Sequence, residues 1–415
     1  MSERVVIVGA SIGGIRTAAG LRKEGHAGEI VLVAPDAARP YDRPPLSKQV
    51  LQGTWEPEQA SLGDPSQDFG VEVRTTRAVR LERDARKVVL ATGEVLGYDR
   101  LVIATGATPK RFPERTLAGV HVLRSMQDCL GLREDLMRGG PLVVIGGGFI
   151  GAEVASAARG LDVPVCLVEA ARAPMHGVLD PATAELLLQL HRERGVEIHC
   201  GVGVARLEGD GRVSTVVLSD GRRLHVDAVA VGIGVTPNTD WLEGSGLRLH
   251  DGVVTDQFLT ATVDGTVLAV GDVARWYDPR VGRHVRIEHW TNAAEQAATV
   301  AHNIAHPDNP RPHDRMPYFW SDQHGAKIQT VGHVDPSWKA LVVPGDRGLR
   351  RAVLHHDGIW VHSALAVNWP QALAVIRRGL DTELEVDQAR RQLEELSGRR
   401  VPDEKLVAPP RSPGP

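Results

Sequence analysis

The chain has 415 residues, length for two or three domains, and its 42% hydrophobic and 24% charged residues are the balance of a soluble globular protein. Lys+Arg number 48 against Asp+Glu 52, a formal charge of −4 without a basic block, which argues against a nucleic-acid partner. No apolar run approaches the ~20 residues of a membrane span. A strand begins almost at the first residue, leaving no room for a signal peptide, so the expected location is the cytoplasm.

Val5 to Val8 is a short β-branched run of the kind that forms a buried parallel strand. It leads into Gly9-Ala10-Ser11-Ile12-Gly13-Gly14, a dinucleotide fingerprint with Ser11 in the place of the middle glycine. Serine is small enough to let a phosphate approach the backbone. The next strand, Ile30 to Val33, passes through Ala34 and Pro35 to Asp36, about where an acid bonds the adenosine ribose. Tyr98 to Gly106 is an apolar strand ending in the small residues Ala104, Thr105 and Gly106, and Pro109 and Pro113 mark a linker.

A second fingerprint follows. Leu142 to Ile145 is the strand and Gly146-Gly147-Gly148-Phe149-Ile150-Gly151 fits G-x-G-x-x-G in full. Gly146 makes the tight turn, Gly148 leaves room for a pyrophosphate, and Gly151 lets helix and strand pack closely. The phosphates then meet the positive end of a helix. The strand Val165 to Val168 ends at Glu169, placed to bond a ribose 2′-hydroxyl and to repel a 2′-phosphate; this favours NADH over NADPH, with Arg172 nearby weakening the preference. Asp227 to Gly234 and Val267 to Asp272 repeat the apolar-then-glycine form, the first placing Gly232 beside this fingerprint.

Asn292 to Ala305 reads as an Ala-rich helix, and the Pro-rich stretch 307–317 separates a last segment of alternating apolar and polar residues: Gly325 to Val331, Ala352 to Leu354, Ile359 to Val361, with helices after Pro370. Residues 401–415, rich in proline, read as a disordered tail. Of the three cysteines, Cys129, Cys166 and Cys200, no two have the spacing of a redox dithiol, so no cysteine pair is expected to relay electrons. His302 and His306 are four residues apart on the expected helix, but no glutamate accompanies them in sequence, and no metal is expected. Two dinucleotide sites in one chain suggest that electrons pass between two nucleotides.

The segments Tyr41-Asp42-Arg43-Pro44-Pro45-Leu46-Ser47-Lys48, Ala104-Thr105-Gly106, Gly146 to Glu153, Val270-Gly271-Asp272, Arg286-Ile287-Glu288-His289-Trp290 and Tyr318 to Gln323 are more specific. Together they make the chain resemble the FAD- and NADH-dependent ferredoxin reductases of bacterial oxygenase systems. The resemblance implies an α/β, glutathione-reductase-like fold: an FAD-binding domain from 1–108 and 235–314, an NAD-binding domain from 109–234, and a C-terminal α+β domain from 315–400. It implies that Gly9, Ser11, Gly13, Gly14, Asp36, Arg43, Lys48, Ala78, Thr105, Gly106, Arg124, Asp272 and Trp290 serve FAD. Gly146, Gly148, Ile150, Gly151, Glu153, Glu169, Gly232 and Trp320 would serve NADH. It also implies a Lys48–Glu153 ion pair that supports hydride transfer. Ser11 and Pro35 depart from the family pattern, and the second leaves Asp36 alone to meet the ribose.

The implied activity takes a hydride from NADH to FAD and passes single electrons to an iron–sulfur ferredoxin, expected to be two-iron, which feeds a haem monooxygenase or Rieske-type dioxygenase. Arg311, Arg315, Arg377 and Arg378 are candidates for a basic docking patch. A reductase with another acceptor (rubredoxin, or a nitrite pathway) and an NADH-sensing flavoprotein remain as alternatives. A monomer is the default.

Overall fold

Fully buried β-branched runs become parallel strands. In the computed structural model, which describes residues 3–113, 116–173, 175, 179, 181–333, 335 and 337–398, Val5–Val8 lies between Ile30–Val33 and Arg100–Ile103, parallel to both. Glu72–Arg74 and Val267–Ala269 complete the two sides of this five-stranded sheet. The tail 401–415 lies outside the described residues. The chain divides into two compact units: Met1–Pro45, Trp55–Lys110 and Gly234–Arg315 form the first, and Leu46–Thr54, Arg111–Ile233 and the chain from Met316 form the second.

In the first unit the two faces of the sheet separate by side-chain alternation. Val5 and Ile7 pack with Ile15, Ala18, Leu21, Val300 and Ile304, from the helices Ile12–Lys23 and Trp290–Ala305. Val6 and Val8 face the other way, onto Leu81, Val88, Leu90 and Leu96 of a three-stranded antiparallel sheet. A strand buried on both faces needs apolar residues at every position, which is why VVIV and IVLV carry no polar alternation.

The second unit repeats the plan. Its parallel sheet runs Val196–Cys200, Val165–Glu169, Leu142–Ile145, Ala228–Val231, Val120–Val122. Val143 and Ile145 pack on Leu207, Val213, Val216 and Leu218 of a small antiparallel sheet. A five-stranded antiparallel sheet follows, in the order Tyr318–Gln323, Ala326–Gly332, Val361–Val367, Arg351–His356, Lys339–Pro344. One face covers the helices Pro370–Leu380 and Val386–Ser397 through Trp369, Leu373, Ile376 and Leu393. Ile328, Val353, Leu365 and Val367 on the other face pack with Leu187, Leu190 and Met175. Each fully buried side chain of this kind contributes ~1.5–3 kcal/mol, so this sheet and the middle of the chain share one core.

Two sequence expectations shift. Pro109, expected in a linker, sits in the strand Ala107–Pro109, antiparallel to Val235–Pro237. In a two-stranded ribbon one edge of each strand needs no hydrogen bonds, so proline's missing N–H costs little there. Ile359 precedes its expected strand and is exposed; the strand starts at Val361.

Candidate functional site

The first glycine turn is shaped by near contacts. Gly9 has φ +118°, and a Cβ there would lie 2.1 Å from the Ala104 carbonyl oxygen. A Cβ on Gly14 would lie 1.8 Å from the Gly9 carbonyl oxygen, and one on Gly13 would lie 3.2 Å from Val270 Cγ2. Gly14, rather than Gly13, therefore holds the close helix–strand approach. Ser11 is the N-cap of the helix Ile12–Lys23, yet its hydroxyl makes no capping bond; it accepts one from the Arg43 guanidinium instead. With no acid in the first helical turn and Arg43 beside the cap, this helix end is positive and suits a pyrophosphate.

Other first-unit candidates lie on the same framework. Thr105 Oγ1 donates to the Asn238 carbonyl (2.9 Å), Asn238 Nδ2 donates to the Thr105 carbonyl (2.8 Å), and the Asn238 N–H bonds the Gly106 carbonyl (3.0 Å). Asn238 thus clamps a turn that the sequence assigned to small residues alone. Asp36 is half-buried in the turn after Ile30–Val33, and Ala78 opens the strand Ala78–Glu82. Asp272 lies in the short 3-10 turn Gly271–Val273, held where Gln296 accepts the Gly271 N–H at 2.8 Å. Trp290 starts its helix and donates its indole N–H to Asp42 (2.6 Å).

Burial raises the Asp42 carboxyl above its ordinary value, although the Trp290 bond works in the opposite direction. A raised folded-state pKa means that stability is full below the unfolded pKa, near 3.9, and is lost as pH rises through the folded value. Asp42→Asn should therefore approach the parent's melting temperature as pH falls below about 4 and exceed it at neutral pH. Thermal unfolding across that range checks it.

The second turn has the same anatomy. Gly146 has φ +102°, and a Cβ there would lie 2.3 Å from the Gly232 carbonyl oxygen; one on Gly151 would lie 2.1 Å from the Gly146 carbonyl oxygen. Gly148 differs, because a Cβ there meets nothing within 4 Å. It is the N-cap of the helix Phe149–Arg159 and opens onto space that a phosphate can fill. Ile150 beside it is exposed. The Glu169 carboxylate accepts N–H bonds from Gly147 (2.6 Å) and Ala171 (2.7 Å), which fixes it against the turn. Arg172 is exposed. Glu169→Gln keeps an acceptor and removes the charge. It should raise the NADPH-to-NADH efficiency ratio at least about 10-fold, since like charges brought together cost several kcal/mol; steady-state kinetics with both nucleotides decides.

A buried charge in the second unit gathers several partners. Glu153 is 4% exposed, and Lys48 Nζ lies 2.6 Å from its Oε2. Ser47 donates to the same oxygen and Ser321 to Oε1 (2.6 Å). Strand and helix periods explain the arrangement. Phe319 and Ser321 share one face of their strand, and Phe149 and Glu153 share one face of their helix. Phe319 packs on Phe149 with ring centres 4.1 Å apart, and Ser321 meets Glu153. Gln323 Nε2 donates to Ser321 Oγ (3.1 Å), His191 Nε2 contacts Gln323 Oε1 (3.0 Å), and His324 Nε2 contacts His191 Nδ1 (2.9 Å). Burial lowers both histidine pKa values, that of His324 to about 3, so the chain of bonds is held by neutral rings.

Residues 3–297 match the pyridine nucleotide-disulphide oxidoreductase family, and residues 318–395 match the reductase C-terminal family. The chain belongs to the pyridine nucleotide-disulphide oxidoreductase family. It is 37% identical to the ferredoxin–NAD(+) reductase component of the p-cumate 2,3-dioxygenase system of Pseudomonas putida, over 94% of this chain and 96% of that one. Putidaredoxin reductase CamA of Pseudomonas putida is 35% identical, over 83% of each chain. A solved covalent complex of putidaredoxin reductase with putidaredoxin superposes with a TM-score of 0.88 at 33% identity, covering 93% of this chain and 95% of that one. The fold is therefore glutathione-reductase-like, as the resemblance implied.

Within this family fold, Trp320 is half-buried and stacks on Tyr318, ring centres 6.3 Å apart. Arg124 is half-buried in the second unit, just before the helix Met126–Leu136, and so shares no unit with Gly9, Arg43 or Trp290. Lys48 likewise falls in the second unit. Arg311 and Arg315 are exposed in the first unit, and Arg377 and Arg378 in the second, with Arg377 over the Tyr318 ring at 5.7 Å. Ser47, Ser321 and Asn238 were not singled out as site residues. Their polar partners lie far away in sequence, and short hydroxyl or amide side chains carry no periodic signal.

Proposed function

We propose that the chain is an FAD-dependent NADH:ferredoxin reductase that supplies an oxygenase. The observation that carries this reading is the pair of glycine cradles, one in each unit, each with two positions where any Cβ would strike backbone. FAD is assigned to 1–108 and 235–314, NADH to 109–234, and 315–400 is read as the third domain. When bound, FAD accepts a hydride from NADH and releases the electrons one at a time.

The protein binds and orients. Gly9, Ser11, Gly13 and Gly14 let the FAD pyrophosphate approach backbone N–H groups, and Arg43 adds charge. Asp36, Ala78, Arg124, Thr105, Gly106, Asp272 and Trp290 are assigned to the rest of that nucleotide. Gly146, Gly148, Ile150, Gly151, Gly232 and Glu169 would hold NADH, and Trp320 is assigned to its nicotinamide end. Glu153 holds the Lys48 ammonium, which would place positive charge by the flavin. The acceptor is read as an acidic two-iron ferredoxin that docks on exposed arginines. Among the described residues no helix is long and apolar enough to cross a membrane. We place the activity in the cytoplasm, where NADH is supplied, and take the chain to act as a monomer.

The test is an anaerobic titration with NADH followed by mixing with a two-iron ferredoxin, with rubredoxin as a parallel arm. Bleaching of the flavin band by about one equivalent, then fast ferredoxin reduction, is the expected result. Slow or absent flavin bleaching would overturn the hydride step; fast bleaching with rubredoxin alone reduced would reassign the acceptor.

A further inference from the structure

We propose that the first unit carries a Zn²⁺ site, independent of the nucleotide sites, formed by Glu24, His302 and His306. His302 and His306 project from the last turn and C-cap of the helix Trp290–Ala305. Glu24 is the C-cap of the helix Ile12–Lys23. The two helices pack tightly just before these ends; a Cβ on Gly20 would lie 2.7 Å from Ala301 Cβ. The candidate ligand atoms of the three residues lie within 4.8 Å of one another. A glutamate is a poor choice for a helix C-terminus, where the backbone carbonyls already present negative charge. Here two such ends meet, with a carboxylate between them, and a cation answers that charge.

His302 supplies the second observation. Its side chain is buried, at 9% exposure. Nε2 lies 3.2 Å from the Asn309 carbonyl, which can only accept, so Nε2 carries a hydrogen. In the neutral ring Nδ1 is then a bare lone pair. Nδ1 is buried without a hydrogen-bond partner and lies 3.5 Å from Glu24 Oε2. In that tautomer the lone pair would face the carboxylate, and a metal between them would make both contacts favourable. A backbone carbonyl accepting the other ring N–H is the usual support of a metal-bound histidine. His306 Nε2 lies 2.9 Å from the same carboxylate oxygen, with the two imidazoles 4.6 Å apart. Zinc bonds of about 2.0–2.1 Å in a tetrahedron separate ligand atoms by roughly 3.3 Å. The Glu24–His302 separation already fits, and the Glu24–His306 pair must open by a few tenths of an ångström. His306 and Glu24 are partly exposed, which leaves the fourth position to water.

Two imidazoles and one carboxylate suit a late divalent transition metal rather than Mg²⁺, which prefers oxygen ligands. The other cluster of similar composition, Cys166 with Glu197 and His199, is a weaker host, because burial pushes the Cys166 thiol up to about 12 and keeps it protonated. Bound zinc would tie together the far ends of two helices that begin at Ser11 and Trp290, stiffening the unit from the end opposite its glycine turn.

The experiment uses tag-free holoprotein, treated with EDTA, desalted and titrated with ZnCl₂ against a chromophoric chelator. About one equivalent should bind, and excess Mg²⁺ should not displace it. Glu24→Gln and His306→Gln should each weaken binding at least about 10-fold, while His199→Gln leaves it unchanged. At a hundredfold excess over Kd, zinc should shift the folding equilibrium about 100-fold and raise the parent's melting temperature by several degrees, but not that of Glu24→Gln. Flavin absorbance and NADH reduction should be intact in these variants, which reports a correct fold. Absence of stoichiometric binding, binding that survives both substitutions, or binding lost in His199→Gln overturns the proposal.

Discussion

Lys48→Met is expected to slow reduction of the flavin by NADH about 100-fold, the order seen when one preorganised charge-stabilising group is removed. The same change should lower stability by about 3–5 kcal/mol, the usual effect of breaking a buried ion pair from one side. Both expectations rest on the same geometry: Lys48 and Glu153 side chains are 13% and 4% exposed, and after the substitution the carboxylate keeps, among the described residues, the hydroxyl partners Ser47 and Ser321. The two effects can be separated. In Lys48→Met with Glu153→Gln the neutral amide can still accept from Ser321, so most of the stability should return. The rate should not, because the ammonium is still missing. Stopped-flow absorbance and denaturant unfolding on the two single variants and the double variant complete the cycle. A double variant that regains both would make the pair structural only, and unchanged hydride transfer in Lys48→Met would remove the lysine from the mechanism.

The second large effect divides the glycines of the NADH turn. Gly151→Ala puts a methyl 2.1 Å from the Gly146 carbonyl oxygen, a collision with backbone that cannot step aside. Loss of fold or of several kcal/mol is expected. Gly148→Ala puts its methyl into open space, so the melting temperature without nucleotide should stay within about 1–2 °C of the parent. NADH affinity should nevertheless fall at least about 10-fold, because the methyl fills the volume assigned to the pyrophosphate. Thermal unfolding and NADH binding to the oxidised protein test both variants together. Weakened binding without lost stability in Gly148→Ala is the signature of a ligand cradle; lost stability there, or unaltered NADH binding, removes the assignment.

Backbone demands are what the sequence expresses most plainly. Gly9, Gly14, Gly146 and Gly151 are readable because each position forbids a side chain, and Glu169 because it ends a β-branched strand at a fixed distance from such a turn. Long-range polar contacts are a different matter. Ser47 and Ser321 reach Glu153 across separations of 106 and 168 residues, and nothing local marks either serine. Gly13 illustrates a finer limit. The motif spacing assigns the third glycine to 14 and says nothing of 13, where a Cβ would come closest to the Val270 side chain, at 3.2 Å. Glu24 was hidden for a related reason: the spacing of His302 and His306 is local to one helix, whereas their acidic neighbour ends another, 282 residues from His306. Strand ends moved by a residue or two wherever a small residue could either extend the ladder or leave it, as at Ala104 to Gly106.

The first unit's parallel sheet has a consequence for synthesis. Val267–Ala269 pairs with Arg100–Ile103, yet the whole stretch 111–233 is translated between them. At ~5–20 residues per second the delay is on the order of ten seconds. During that interval Arg100–Ile103 offers an unpaired edge, apolar from Leu101 to Ile103, to any strand nearby. The helix Trp290–Ala305, which covers one face of the same sheet, emerges later still. The nascent chain must therefore carry the inserted stretch while its host is unfinished, and slow elongation through 234–305 would prolong the time in which premature pairing or chaperone capture competes with closure.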